Sequence, residues 1–292
     1  MKRELSILIP TFNDVCNDVV KELQRQTSQI EGLSYEIVVA DDGSTDTEAM
    51  AANEAINLLP HCRYIVRKEN VGRAAIRNFL ASIAAYDWLL FIDSGMSIGN
   101  DEFLKRYLET EADVVCGGYR LTDDERLNNN LRYRYEKAAQ ASLSLKSREA
   151  APYQNFHTSN FLMARSQYLA HPLDTRFHRY GYEDVLMGKQ LQLAGVGIEH
   201  IDNPVLFDRF DSNERFVEKT EEALQTLNEF VDDLAGYSRM LDVAATMRKW
   251  HLASPYLFIY NRMKKSWRNN LCGRTPSLLQ LKLYKLGYYL SL

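Results

Sequence analysis

Three short apolar runs in the first hundred residues each end in polar side chains suited to holding a nucleotide. Residues 5–10 precede Thr11, Phe12 and Asn13; residues 36–40 precede Asp41, Asp42, Gly43 and Ser44; residues 88–92 precede Asp93, Ser94 and Gly95. A uracil or guanine ring offers N–H donors beside carbonyl acceptors. A carboxylate such as Asp42 can accept from the ring N–H while backbone groups near Pro10 and Thr11 meet the rest of the edge. Arg73 and Arg77 stand one helical turn apart on one face and can bring a guanidinium to a diphosphate; surface ion pairing explains the same spacing. Glu183 and Asp184 follow Tyr180-Gly181-Tyr182 and open a helix, which sets two carboxylates at a positive helix N-terminus. By themselves those two acids read first as a capping pair. The run Asp41-Asp42-Gly43-Ser44-Thr45-Asp46 also reads as a tight turn leading into a helix capped by Asp46.

Such residues need a scaffold that turns them toward one place. The three runs are rich in Ile, Val and Leu without polar alternation, as strands buried on both faces are, and helix-like segments separate them. That alternation predicts an α/β fold with a mostly parallel central sheet flanked by helices. In such a sheet the carboxyl ends of the strands face one ligand crevice. The pattern places helices at 15–26, 47–58, 74–84 and 101–109 and further strands at 64–66 and 113–117. Beyond Gly118 the alternation weakens, with a polar helix expected at 128–145, a strand at 160–164, and helices at 184–194 and 217–234. A boundary is expected near Gly236, between a domain of residues 1–235 and a helical extension of residues 236–292.

With 292 residues, 46% of them hydrophobic, the chain can bury a substantial core. Its four cysteines are scattered without Cys-x-x-Cys spacing, which argues against a zinc site or a disulfide framework and for a reducing, cytoplasmic compartment. The first strand begins almost at once, leaving no room for a signal peptide, and no apolar run approaches the ~20 residues of a membrane span. The formal net charge of −4 hides an asymmetry: after Asp242 there is no Asp or Glu, while nine Lys and Arg follow. Aromatic residues such as Trp250, Tyr256, Phe258, Tyr260 and Trp267 are interleaved with those cations. The tail therefore reads either as a solvated basic face on packed helices or as a contact with anionic membrane at the inner face of the cell envelope. Nucleic acid is not an expected partner. A nicotinamide-dependent dehydrogenase is excluded, because the only Gly-x-Gly, at Gly195-Val196-Gly197, lies late in the chain and not after the first strand.

Taken together, five segments in order resemble the inverting, nucleotide-sugar-dependent glycosyltransferases of family 2, which have the GT-A fold. They are Ser6 to Asn13, Val38 to Asp46, Asn70 to Asn78, Phe91 to Gly95, and Gly181 to Asp184. The resemblance covers roughly residues 5–234. It implies a sugar donor activated by a nucleotide, more in the manner of UDP than GDP, and an acceptor hydroxyl on a glycan or a polyprenyl-linked sugar in cell-surface polysaccharide synthesis. It implies Asp184 as the general base with Glu183 beside it, and donor contacts at Pro10, Thr11, Asn13, Asp41, Asp42, Asn70, Arg73, Asp93 and Asn160. The segment Asn155 to Phe161 resembles the family's sugar-pocket lining. Asp93 stands where the family carries an Asp-x-Asp that holds Mg²⁺ or Mn²⁺ against the diphosphate, but Gly95 replaces the second acid. Asp208 stands where related sequences commonly have a His near the ion, so the expectation is that Asp93 and Asp208 share the metal. These departures keep a second reading open, a nucleotide-sugar-binding protein or scaffold without turnover.

Overall fold

The computed structural model describes residues 1–292. In chain order the elements are β1 (Glu4–Thr11), α1 (Asn17–Ser28), β2 (Ser34–Asp41), α2 (Thr47–Asn53), β3 (Cys62–Val66), α3 (Arg73–Ile83), β4 (Trp88–Ile92), β5 (Met96–Ser97), α4 (Phe103–Leu108), β6 (Val114–Cys116) and β7 (Tyr119–Leu121). There follow α5 (Leu131–Ala139), α6 (Leu145–Ala150), β8 (Asn160–Ala164), α7 (Arg165–Ala170), α8 (Glu183–Leu193), β9 (Glu199–His200) and β10 (Val205–Phe207). Four helices close the chain: α9 (Asn213–Glu229), α10 (Arg239–Lys249), α11 (Ala253–Cys272) and α12 (Leu278–Ser291).

The chain divides into two compact units. The first comprises Met1–Thr122, Ser142–His178 and Glu183–Arg209; the second comprises Asp123–Ala141, Arg179–Tyr182 and Phe210–Leu292. Residues 210–235 thus group with the C-terminal helices, upstream of the composition change at Gly236.

In the first unit a seven-stranded sheet runs β3-β2-β1-β4-β8-β6-β9, and a small sheet runs β5-β10-β7. β1 is parallel to β2 and β4, and β2 to β3; β8 is antiparallel to both β4 and β6. The apolar runs alternate between two cores because successive strand side chains point to opposite faces. Ile7, Ile9, Ile37, Val39, Leu90 and Ile92 fill one face, while Leu8, Val38, Ala40, Leu89 and Phe91 fill the other. The chain adds β2 and β3 on one side of β1 and then crosses to place β4 on the other. The order therefore reverses between β1 and β4, and a crevice opens beyond their carboxyl ends at that point.

Two expected helices are shorter than their sequence patterns. The segment 47–58 is α-helical only to Asn53 and tightens into a 3₁₀ turn over Glu54–Leu58. Asn53 is buried and pins the start of α1, accepting from the Cys16 amide at 3.1 Å and donating to the Asp14 carbonyl at 2.9 Å. The segment 128–145 is split: Asn130 caps α5 by accepting from the Tyr133 amide, and Ser144 caps α6 by accepting from the Ser147 amide. Cap-forming side chains inside a periodic run end one helix and start the next.

The second unit has its own core of Leu131, Phe216, Val217, Tyr260, Trp267, Leu271, Leu281 and Tyr284. Glu221 ties its helices together, accepting from the Tyr284 hydroxyl at 2.6 Å and from Arg268 Nε at 3.1 Å.

Candidate active site

The strand ends carry the carboxylates expected from the sequence, and their partners define different roles. Asp41 is buried at the end of β2; one oxygen accepts from the Ser44 amide at 2.7 Å and the other from the Tyr64 hydroxyl at 2.6 Å. Asp42 accepts from the Val71 amide at 3.0 Å and the Gly72 amide at 2.9 Å. Burial pushes the Asp42 carboxyl above its ordinary range, and the two amides oppose that rise. Both acids therefore shape the loops that line the crevice. Asn70 adds to that loop by accepting from the Gly72 amide at 3.2 Å.

Pro10 and Thr11 end β1 in register with Ala40 and Asp41. Asn13 adopts a left-handed backbone, φ 52°, and its carboxamide oxygen accepts from the Thr45 and Asp46 amides at 2.8 and 2.9 Å. It joins the loop after β1 to the loop after β2. Asp46 caps α2 as expected, accepting from the Glu48 and Ala49 amides at 3.0 Å.

Asp93, just beyond β4, lies between two arginines. Arg77, only 1% exposed, donates through Nη2 to Asp93 Oδ1, and Arg73 Nη2 lies 3.3 Å from Asp93 Oδ2. Arg73 also donates through Nε to Glu183 Oε1 at 3.1 Å, so one guanidinium spans the acid after β4 and the acid that opens α8. Gly72, at φ 90°, precedes Arg73 and starts α3, which aims both arginines at the crevice.

Glu183 and Asp184 begin α8 after two left-handed residues, Gly181 (φ 97°) and Tyr182 (φ 70°). Positive φ at a tyrosine is strained; it turns the chain sharply just before the acids. Asp184 Oδ1 accepts from the Val185 amide at 2.8 Å, and Oδ2 lies 3.4 Å from His157 Nδ1. The His157 ring in turn meets Tyr119 edge-on, with centroids 5.8 Å apart. Burial raises the Glu183 carboxyl above its ordinary range despite Arg73 and Arg77, and the neighbouring Asp184 charge adds to the rise. For Asp184 burial also pushes upward, but the hydrogen bond and charge of His157, the Val185 amide and Arg73 outweigh it, and the carboxyl is lowered. Two adjacent acids are thus driven apart, the pattern that separates roles in an acid–base site. Asp184 keeps 24% of its side-chain surface exposed and remains open to a substrate hydroxyl.

The residues present do not fit the expected divalent ion. Both Asp93 oxygens are engaged by arginines, Gly95 contributes no ligand, and Asp208 accepts from the Ser97 hydroxyl at 2.7 Å. No group of three or more His, Cys, Asp or Glu side chains converges so as to hold a metal. A Cβ on Gly95 would point toward Asp14 Oδ2 at 3.5 Å, and Asp14 is itself engaged by Ser94 Oγ at 2.9 Å and by Arg209 Nη1 at 2.8 Å. Guanidinium charge stands where cation charge was expected. Asp14 and Arg209 escaped the sequence reading, since nothing local joins two residues 195 positions apart.

Asn160 lies deep in the fold. It donates through Nδ2 to the Gly118 and Asn203 carbonyls at 2.8 and 2.9 Å and accepts at Oδ1 from the Tyr107 hydroxyl at 2.7 Å. Its carboxamide is fully used inside the protein.

Residues 6–171 match the family model described as Glycosyl transferase family 2. That match stops short of Glu183 and Asp184. The chain is similar to the poly(ribitol-phosphate) beta-glucosyltransferase of Bacillus spizizenii, 32% identical over 120 residues that make up 39% of this chain and 19% of the relative. It spans no more than about half the length of the curated relatives it matches, with 49% of one and 39% of another covered. Among solved structures it resembles a mannosyltransferase from Pyrobaculum calidifontis in complex with GDP-Man and Mn²⁺, with TM-score 0.58 and 13% identity over 100% of this chain and 86% of that one. It also resembles S. aureus TarS in complex with UDP, with TM-score 0.54 and 17% identity over 100% of this chain and 90% of that one. At those identities the likeness is one of fold.

Proposed function

The chain belongs to glycosyl transferase family 2 and has the GT-A fold, and on that premise we propose that it moves a sugar, with inversion, from a UDP-sugar to a hydroxyl of a glycan or lipid-linked acceptor in cell-surface polysaccharide synthesis. The observation that carries this reading is the split pair at the start of α8, a partly exposed Asp184 held by His157 with its carboxyl lowered, beside a buried Glu183 linked to Arg73. The base preference follows the nucleotide bound in the TarS complex; the complex with GDP-Man makes GDP the alternative to test.

The step requires one base on the face of the sugar opposite the leaving group. The acceptor oxygen attacks the anomeric carbon and gives its proton to an Asp184 oxygen, while the bond from that carbon to the diphosphate breaks and the nucleoside diphosphate departs. A carboxylate with a lowered pKa is ionised before the attack, and bond formation acidifies the hydroxyl as it proceeds. His157 holds the carboxylate in one orientation. Arg73, partly exposed and already bridging Asp93 and Glu183, supplies fixed positive charge for the departing phosphates. No step is assigned to a metal ion, because the donor set does not fit one. Thr11 and the loops held by Asp41, Asp42, Asn13 and Asn70 form the crevice walls that receive the nucleoside.

The test is UDP release from a panel of UDP-sugars with glycan and polyprenyl-phosphate-sugar acceptors, with the anomeric configuration of the product read by NMR. Turnover with an inverted product, abolished in Asp184→Asn while UDP binding is kept, supports the reading. UDP binding without turnover, unaltered by Asp184→Asn, would leave a nucleotide-sugar-binding protein instead.

A further inference from the structure

We propose that the turn between α10 and α11, with the outer face of α11, is a docking surface for an anionic lipid bilayer. No helix is long and apolar enough to cross a membrane, so the contact would be interfacial.

The second unit buries one side of α11. Tyr260, Trp267 and Leu271 enter the core with Leu281 and Tyr284 of α12. The solvent side is mixed: Asn261, Arg262, Lys264, Lys265 and Ser266 are exposed there, but large apolar side chains stand among them. Trp250 is 66% and Phe258 62% exposed, and Leu252, Ile259 and Met263 are exposed as well. Leu252, Ile259 and Met263 are separated by seven and four residues and so fall along one line of the helix, with Phe258 beside Ile259. Single exposed apolar residues are ordinary; five within fourteen positions, three of them on one line, form a patch.

Charge identifies the occupant. Arg248, Lys249, Arg262, Lys264 and Lys265 are exposed around the patch, and no acid follows Asp242. Arg262 lies over the Phe258 ring, its guanidinium 4.7 Å from the centroid. A second copy of the chain docking by two-fold symmetry would bring these cations against one another, which opposes association. A nucleic acid would meet the cations but leave Leu252, Ile259 and Met263 in water. An anionic bilayer satisfies both halves of the surface: apolar side chains enter the boundary between headgroups and acyl chains, and long cationic side chains reach back to lipid phosphates. This inference stands apart from which sugar is transferred.

The experiment is co-sedimentation of the full chain with phosphatidylcholine vesicles, with and without phosphatidylglycerol. The expected result is partition onto the anionic vesicles alone, weakened by salt, with a blue shift of Trp250 emission that Trp250→Phe removes. Phe258→Ser should reduce partition by at least about tenfold through lost apolar burial, and Arg262→Gln by about fivefold through one lost cation. Equal partition by wild type and by the Phe258→Ser, Ile259→Ser double variant would overturn the proposal, as would no partition at all. Concentration-dependent self-association that those variants abolish would assign the patch to a second copy. UDP titration and a thermal melt on the same preparations separate the two claims: vesicle binding by a folded chain that does not bind UDP leaves the surface standing and sinks the UDP-sugar reading.

Discussion

Arg77 and Asp93 form an ion pair whose two ends differ in exposure: the arginine is 1% exposed, whereas the Asp93 side chain keeps 20% of its surface. The guanidinium also donates to the Arg73 carbonyl at 2.9 Å, while its Nε has no partner. This asymmetry makes the two partners unequal. Asp93→Asn strands a buried cation and should cost about 3 kcal/mol or more. Arg77→Met leaves an acid that keeps Arg73 and solvent, and should cost less. Urea denaturation of both variants checks the order; a larger loss in Arg77→Met would mean the pair is not the anchor of α3.

Nucleotide affinity should be indifferent to divalent cations, because every acid near Gly95 already faces a guanidinium or a hydroxyl. Titration with UDP in EDTA and in Mn²⁺ should give the same Kd, and Arg73→Ala should weaken it. A strong gain on adding Mn²⁺, lost in Asp93→Ala and Asp208→Ala, would show that the acids exchange their present partners for an ion.

With Asp184 as the proposed base, its titration should set the acid limb of activity. Its folded carboxyl is lowered, so it loses its charge only below the ordinary Asp value of 3.8, and kcat/KM should stay level as pH falls toward that value. Since His157 is the main influence that lowers it, His157→Ala should move the acid limb to higher pH as well as reduce the rate. A limb that does not move would mean that His157 only shapes the pocket.

Asn160→Leu should behave as a folding defect. It takes from the Asn203 carbonyl its Asn160 donor and from the Tyr107 hydroxyl its 2.7 Å acceptor, leaving that hydroxyl only the long 3.4 Å contact to the backbone carbonyl of residue 160, while the Gly118 carbonyl keeps the Val205 amide; a buried group left unpaired costs about 1–3 kcal/mol. KM for donor should be nearly unchanged in the fraction that folds. A large rise in donor KM with normal stability would restore Asn160 as a donor contact.

His200 gives a stability signature. Burial lowers its pKa from 6.5, and the nearby Arg148 charge adds to that against the Pro152 carbonyl bond. The neutral ring accepts at Nδ1 from Arg148 at 3.1 Å and donates at Nε2 to Pro152 O at 2.9 Å. Below pH 6.5 the unfolded histidine takes a proton before the folded one does, so stability falls with pH through that window and is fully present above it. Denaturation midpoints for wild type and His200→Gln should converge as pH drops below 6.5; parallel curves would count against a buried neutral ring.

The layered sheet, the carboxyl-end placement of Thr11, Asp42 and Asp93, the Asp46 cap and the opening of α8 at Glu183 were all legible in the sequence. Each depends on a local pattern: an apolar run long enough to be a buried strand, or a polar residue at its end. The short strands β5, β7, β9 and β10 carry two or three residues each, too few for any period to register, and the interrupted helix at 128–145 hid its own caps. What only the tertiary structure decided is which charge each acid meets. Asp93 finds Arg77 and Arg73, Asp14 finds Arg209, and Asp184 finds His157, while Asn160 turns inward. Strand formation follows from neighbours along the chain and survives small errors of placement. A hydrogen bond or ion pair holds only over a narrow range of distance and angle, and the packing of segments far apart in sequence sets that distance.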